Sequence, residues 1–363
     1  MMELKEVVTK LEKSKIKAGD GKKEGKYPLY TCSPTVDKFC DEYLYDTEAI
    51  ILSTGGNAVV NYYNGKFSYS TDCLVIQSDK NLKCKYMYYY LLSKIDIICK
   101  MFRGVGIKHL NKNEFFKLDI SIIDKEKQNK IISNLDIVNT IIELKRVQLK
   151  EYDNIIKSQF VEMFGDPYFN QYNWKIGTIR ELVSDVRYGT SKPSNDGGKY
   201  KYLRMNNITY NGKLDLTDIK YIDIPENEVE KCSTKNGDVL FNRTNSRELV
   251  GKTCVYNLDE EMVIAGFVIR VRVNDLANPY FLSEYLNTKY MKKNLYNMCK
   301  NASGQSNINA QELQNIKIYI PPIELQNKFA EFVKQIDKQK FEIENSLKEM
   351  QELYESLMEE DFG

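Results

Sequence analysis

Residues 106–131 read GIKHLNKNEFFKLDISIIDKEKQNKI, and residues 304–329 read GQSNINAQELQNIKIYIPPIELQNKF. Both belong to one ungapped match at an offset of 198 residues, which lays 106–165 over 304–363. Gly106 meets Gly304, Asn111 meets Asn309, Glu114 meets Glu312, Ile120 meets Ile318 and Glu126 meets Glu324. Gln128-Asn129-Lys130 repeats as Gln326-Asn327-Lys328, and both copies close on Phe-Gly. A chain that repeats itself over such a length carries a duplicated structural unit, and a repeat settles more of a fold than any local propensity does.

The later part of each copy has a helical seam. Ile131, Leu135, Val138, Ile142, Lys145, Leu149, Tyr152 and Ile156 recur at steps of four and three. Phe329, Val333, Ile336, Lys340, Ile343, Leu347, Met350, Tyr354 and Leu357 do the same. This spacing marks a coiled-coil stripe. Two such helices in one chain bury their stripes most simply against each other. Pro321-Pro322 marks the start of the second helix. Ile123-Asp124-Lys125 stands at the matching place in the first copy and predicts a less sharply defined start. Lys145 and Lys340 fall on the seams at different heptads, where they set register at some cost in stability.

Two unlike globules lie beside the helices. The boundaries drawn are 1–120, 121–165, 166–320 and 321–363: globule, long helix, globule, long helix. Turn signals such as Asn64-Gly65 and Asn211-Gly212 punctuate the globules. Runs such as CLVIQS and FVIRVRV read as strands. KYMYYYLLSKIDIICKMF and PYFLSEYLNTKYMKKNLYNMC each read as a helix. The fold class is α+β, with two strand-rich globules, an antiparallel helix pair and a pseudo-two-fold repeat. Net charge by segment is +4, 0, +3 and −6. Polyanion binding therefore belongs with the globules, and the acidic last helix suits a protein partner. No apolar run reaches the ~18 residues of a membrane span, and the charged N-terminal stretch lacks a signal peptide's apolar core. One histidine and eight cysteines, none in a CxxC pair, argue against a zinc site or disulfide framework and for a reducing cytoplasm.

Loops in both globules mix glycine with side chains that discriminate base edges. DVRYGTSKP (185–193) offers Arg187, Tyr188, Thr190, Ser191 and Lys192. GGKYKYLRMNNI (197–208) offers Arg204 and Asn206. FNRTNSRELVGK (241–252) is the densest cluster, with Arg243, Asn245, Ser246 and Arg247. NASGQSNIN (301–309) adds Ser303, Gln305 and Ser306. In the first globule LSTGGN (52–57) offers Ser53, Thr54 and Asn57, and FRGVGIKHLN (102–111) offers Arg103, Lys108 and His109.

Several catalytic look-alikes fail on spacing. NPYF (278–281) lacks one proline of the amino-methyltransferase motif, and no glycine-rich turn for S-adenosylmethionine follows a strong strand; Asn278-Pro279 simply opens a helix. GDGKKEGK (19–26) sets its outer glycines six apart where a P-loop needs five, with Tyr27 where Ser or Thr belongs. ELK (143–145) sits on the seam helix. His109 has neither a nucleophile nor a ligand cluster in the sequence around it.

The order of variable globule, NKNEFFKLDISIIDKEKQNKII…FVEMFGDP, second globule, and NINAQELQNIKIYIPPIELQNKFAEFV…LYESLMEEDFG resembles the specificity subunit of type I restriction–modification enzymes over essentially the whole chain. The resemblance implies no catalytic centre and no cofactor in this chain. It implies one half of a split double-stranded DNA site per globule, and helices that dock two methyltransferase subunits carrying S-adenosylmethionine. Two restriction subunits using ATP and magnesium would complete the complex. A helix of about 40 residues is roughly 60 Å long, on the order of 17 base pairs, which suits two separated half-sites. A standalone adenine methyltransferase with its own recognition domain, or a coiled-coil adaptor without DNA, remain the alternative readings.

Overall fold

The computed structural model describes residues 1–79, 81–299 and 306–363. The chain divides into two compact units, 1–146 with 345–363, and 147–344. Each unit owns one end of both long helices, Lys125–Phe164 and Ile323–Phe362.

The first unit is built on a six-stranded sheet. Its strands run Val8–Lys10, Cys73–Ser78, Tyr45–Ser53, Val60–Tyr69, Tyr27–Tyr30, Phe39–Cys40 across the sheet. Ile50, Leu52 and Ile76 face the helix Cys84–Ser93, while Ala49, Ile51 and Val75 point to the opposite face and are buried there with Phe67 and Tyr69, so both faces of the sheet are covered. Cys73–Ser78 coincides with the run CLVIQS. The segment expected as one helix is two, Cys84–Ser93 and Ile95–Lys100, broken at Lys94. Leu135 of the first long helix joins this core beside Ile131, and Tyr354, Leu357 and Phe362 of the second helix complete it. The beginning of one helix thus packs on the end of the other.

The second unit repeats the plan in different residues. Val183–Tyr188, Val268–Val273, Val239–Asn242 and Thr253–Val255 form a four-stranded sheet in that order. Lys220–Ile222, Tyr200–Leu203 and Val263–Ile264 form a three-stranded one. The single long strand Val60–Tyr69 of the first unit has here become two, separated by the polar stretch Asn257–Glu261, so the sheet splits. Phe267 precedes its strand rather than opening it, a correction to the strand expected over FVIRVRV. The second helical segment is also two helices, Pro279–Asn287 and Lys289–Met298. Thr288 divides them, and its hydroxyl accepts from the Met291 amide at 3.3 Å. Ile156, Phe160 and Phe164 pack on Phe329, Val333 and Ile336, again end against beginning, so the pair is antiparallel.

The seam is closed as its spacing predicts. Val138, Ile142, Ile156, Phe329, Val333 and Ile336 are buried. Lys340, almost covered, pairs with Asp153 of the facing helix. The sharp start expected only for the second helix is present in both. Asp124 accepts from the Lys127 amide at 2.9 Å, which does for the first helix what the prolines do for the second.

Two glutamines explain why Gln128 and Gln326 occupy matching columns. Both are fully buried. Gln128 donates to the carbonyls of Asn81 and Ile123 and accepts from the Lys83 amide at 2.8 Å. Gln326 donates to Leu276 and Pro321 and accepts from the Asn278 amide at 2.9 Å. Lys83 and Asn278 are the N-caps of Cys84–Ser93 and Pro279–Asn287. The two closing phenylalanines are equivalent as well. Phe362 packs on Tyr86 at 5.2 Å and Phe164 on Phe281 at 4.9 Å.

Replacing Gln326 with Leu strands one amide and two carbonyls in a dry site. The expected loss is about 2–4 kcal/mol in urea unfolding. On the seam, Asp153→Ala leaves a covered ammonium unpaired, whereas Lys340→Met removes the charge with its need. The alanine variant is therefore the less stable of the two, by about 1–3 kcal/mol in the same assay.

Candidate nucleic-acid interface

In the second unit the polar loops converge because the sheet register brings them together. Asn242 ends its strand opposite Val268. The next residue, Arg243, donates its amide to Phe267 O at 2.9 Å and accepts from the Ile308 amide at 2.9 Å. Thr244 and Asn245 then pair with Asn307 and Ser306. The 185–193 loop joins from the other side. Gly266 donates to Thr190 O at 2.7 Å, and Ala265 donates to Leu203 O at 2.8 Å. Gly189 makes this approach possible, since a Cβ there would sit 2.1 Å from the Ile264 carbonyl oxygen.

The expected residues that the structure describes each have a definite place. The Arg243 guanidinium stacks 4.7 Å from the Tyr188 ring centre and donates to Gly266 O, while its Nε is buried without a partner. The Tyr188 hydroxyl accepts from the Ala310 amide at 2.8 Å, at the start of the helix Ala310–Gln314. Asn245 turns inward to Asn242, and the Ser246 carbonyl anchors a turn. Arg247 donates to Tyr296 O and lies 4.0 Å over its ring. Thr190 is half-buried, Ser191 and Asn206 are exposed, and Ser306 is buried. Three cations are held by carboxylates: Arg187 by Asp185, Lys192 by Glu228 at 2.9 Å and Arg204 by Asp218 at 2.7 Å. Exposed pairs of this kind are weak and exchange readily for a phosphate. Ser303 and Gln305 lie outside the described residues.

The first unit builds the same frame. Thr54 donates its amide to Asp72 O at 2.8 Å and accepts from the Leu110 amide at 3.0 Å. Gly55 bridges to His109, and Arg103 pairs with His109 across the hairpin. Thr71 donates to Ile16 O and Ser70 to Tyr30 O. Thr54 and Arg243 thus occupy equivalent positions, as do Gly55 and Thr244. Ser53 is buried and bonded to Asn57 O at 2.6 Å. Asn57, Lys108 and His109 are exposed, and Arg103 is paired with Glu114 at 2.8 Å. Sequence reasoning missed the turns Ser70–Cys73 and Ala265–Val268, which stand in the middle of each frame. Ser70-Thr71-Asp72 and Gly266 are turn-forming residues, but their place in the frame is set by register, which the sequence does not show.

Residues 1–152 and 172–353 match the family described as the type I restriction modification DNA specificity domain. The EcoKI specificity subunit of Escherichia coli strain K12 is 21% identical over 340 residues, covering 86% of this chain and 73% of that one. The MjaVIII specificity subunit of Methanocaldococcus jannaschii is 24% identical over 372 residues, covering 92% and 86%. A putative MjaX specificity subunit of the same organism is 29% identical over 196 residues, and the match spans only 44% of that relative's length. The fold is similar to that of the S subunit from M. genitalium, with a TM-score of 0.64 and 16% identity over 98% of this chain and 94% of that one. A chain from a solved type I R-M system gives a TM-score of 0.52 with 19% identity, covering 88% and 82%.

Asp185, beside the interface, carries a pH dependence. Burial pushes its carboxyl up, but hydrogen bonds from Arg270 and Arg187 outweigh this and hold it below the ordinary carboxylate value. A folded-state value below the unfolded one of about 3.9 contributes stability above that pH, which is lost as pH falls through the folded-state value. Asp185→Asn should therefore be less stable than the parent at pH 7, with the gap closing below about pH 4 in thermal unfolding.

Proposed function

Because the chain belongs to the family of type I restriction modification DNA specificity domains, we propose that it is the recognition subunit of a type I restriction–modification complex and performs no chemistry itself. Residues 1–120 and 166–320 are its recognition domains, and 121–165 and 321–363 its spacer helices. Each recognition domain reads one half of a bipartite double-stranded DNA site, and the two halves differ because the loops differ.

The observation that carries this reading is the duplicated loop frame. The same backbone hydrogen bonds are made at Thr54 and at Arg243, yet one frame presents Lys108, His109 and Asn57 and the other presents Arg243 and Tyr188. A scaffold that conserves backbone bonding and varies donors and acceptors suits reading two different base sequences. Arg243, held flat by Tyr188, has the planar fork that suits guanine O6 and N7. The remaining cations act on phosphates, fixing position without reading sequence.

The helices supply the partner surface. Their seams are consumed internally, but the first helix leaves Ile137, Leu144, Val147 and Ile155 exposed, and the second leaves Phe341 and Leu353. Ile137, Leu144 and Ile155 recur on one face of the first helix, and such an apolar row suits contact with another helix. These suit methyltransferase subunits, which would bring S-adenosylmethionine, and through them restriction subunits with ATP and magnesium.

Exchanging residues 166–320 for the corresponding part of another specificity subunit should change one half of the methylated sequence and leave the other intact, as read by methylome sequencing. An unchanged target after the exchange refutes the assignment. With its methyltransferase subunits the chain should bind DNA with a steep salt dependence, and Arg243→Ala should cost about 1–3 kcal/mol on the cognate site in a titration.

A further inference from the structure

The turn Ser70–Cys73 and the turn Ala265–Val268 are one element used twice. In each, the fourth residue donates its amide to the first: Cys73 to Ser70 O at 3.1 Å, Val268 to Ala265 O at 2.8 Å. The first residue donates to the end of a neighbouring strand, Tyr30 or Leu203. The second donates to an incoming loop, at Ile16 or Thr190. The third offers its carbonyl to Thr54 or Arg243. A side chain adds a further bond to that carbonyl, from the Thr54 hydroxyl at 2.8 Å or the fully buried Asn242 amide at 3.2 Å.

With so many backbone bonds the turn is held in place, and its third residue is the one of the four whose side chain is exposed in both units. That residue is Asp72 in the first unit and Phe267 in the second. Phe267 is 48% exposed, an apolar side chain among polar reading loops. Asp72 is exposed, and its carboxylate has no partner among the described residues. An uncompensated acid amid loops that meet a polyanion is repulsive unless it faces an amino group.

We propose that the third residue of this turn determines specificity in both recognition domains, Asp72 by accepting from a cytosine N4 amino group and Phe267 by packing on a thymine methyl. Resting on the recognition role proposed above, it adds to it the base that each turn selects. The chemistry follows from the major groove. Cytosine presents a donor there that a carboxylate accepts, and thymine presents the one apolar group that an aromatic can cover. Asp72 also rejects a base that offers only acceptors, so it discriminates by repulsion as well as attraction.

The test uses the full chain assembled with its methyltransferase subunits, on the target that methylome sequencing defines and the domain exchange divides into halves. Replacing thymine by deoxyuridine in the half read by residues 166–320 should weaken binding of the parent about tenfold, while Phe267→Ala binds both DNAs alike. Asp72→Asn should relax one C·G position, only in the half read by residues 1–120. Phe267 and Asp72 are exposed, so neither substitution removes core packing. Methylated motifs unchanged in both variants, or changed in the other domain's half, overturn the inference while leaving the recognition role standing. A parent complex without sequence preference overturns the recognition role, and the inference with it.

Discussion

Two side-chain amides, each in a dry site and each making three hydrogen bonds, hold the architecture together. Gln128 and Gln326 reach from the first turns of the long helices to the caps of the short helices that back the sheets. An amide is suited to this task because it donates and accepts at once, so it can tie an amide and two carbonyls that no helix or sheet ladder satisfies. Hydrophobic packing alone would let the long helix slide on the globule. The glutamine fixes its position along the axis. One turn further along the same short helix, Phe362 or Phe164 wedges against Tyr86 or Phe281. Every globule is thus gripped by the beginning of one helix and the end of the other, and an antiparallel pair is the arrangement that offers both ends together.

The grip leaves the loops opposite free to diverge. Backbone hydrogen bonds position Thr54 and Arg243, Asp72 and Phe267, without regard to which side chains they carry. The cost of holding loops in place is met by main-chain groups that every residue possesses. Selection on target sequence can then act on side chains with little effect on stability. Some cations nearby are held by carboxylates, as Arg204 is by Asp218 and Arg187 by Asp185, which keeps their long side chains ordered until a phosphate competes.

The long helices were legible from their seam residues, since apolar side chains at four-three steps line up on one face of a helix and on no face of a strand. Asn309 and Glu312 were legible as matched letters, and the structure gives their reason: Asn309 caps Ala310–Gln314 while Glu312 reaches back to the Asn309 amide. Asn278 likewise proved to cap a helix. The shared topology of the globules was not legible, because strand order is written in backbone pairing and their side chains have diverged. The breaks at Lys94 and Thr288 were missed since both segments keep a helical composition through the break. The turns at 70–73 and 265–268 were missed because their importance arises from chain segments far away in sequence. Phe267 reads in the sequence as the first residue of a strand, where its exposure has no meaning.

The division of the chain bears on the order in which its parts can form during synthesis. Domains emerging from the ribosome ordinarily fold in the order they are made. Here the second unit, 147–344, is one continuous stretch, whereas the first requires 345–363 to complete it. Tyr86 waits for Phe362, which is made more than 270 residues after it. The part translated first is therefore the part finished last. Until then its short helices expose an apolar face, and the nascent chain depends on that face staying clear of other surfaces.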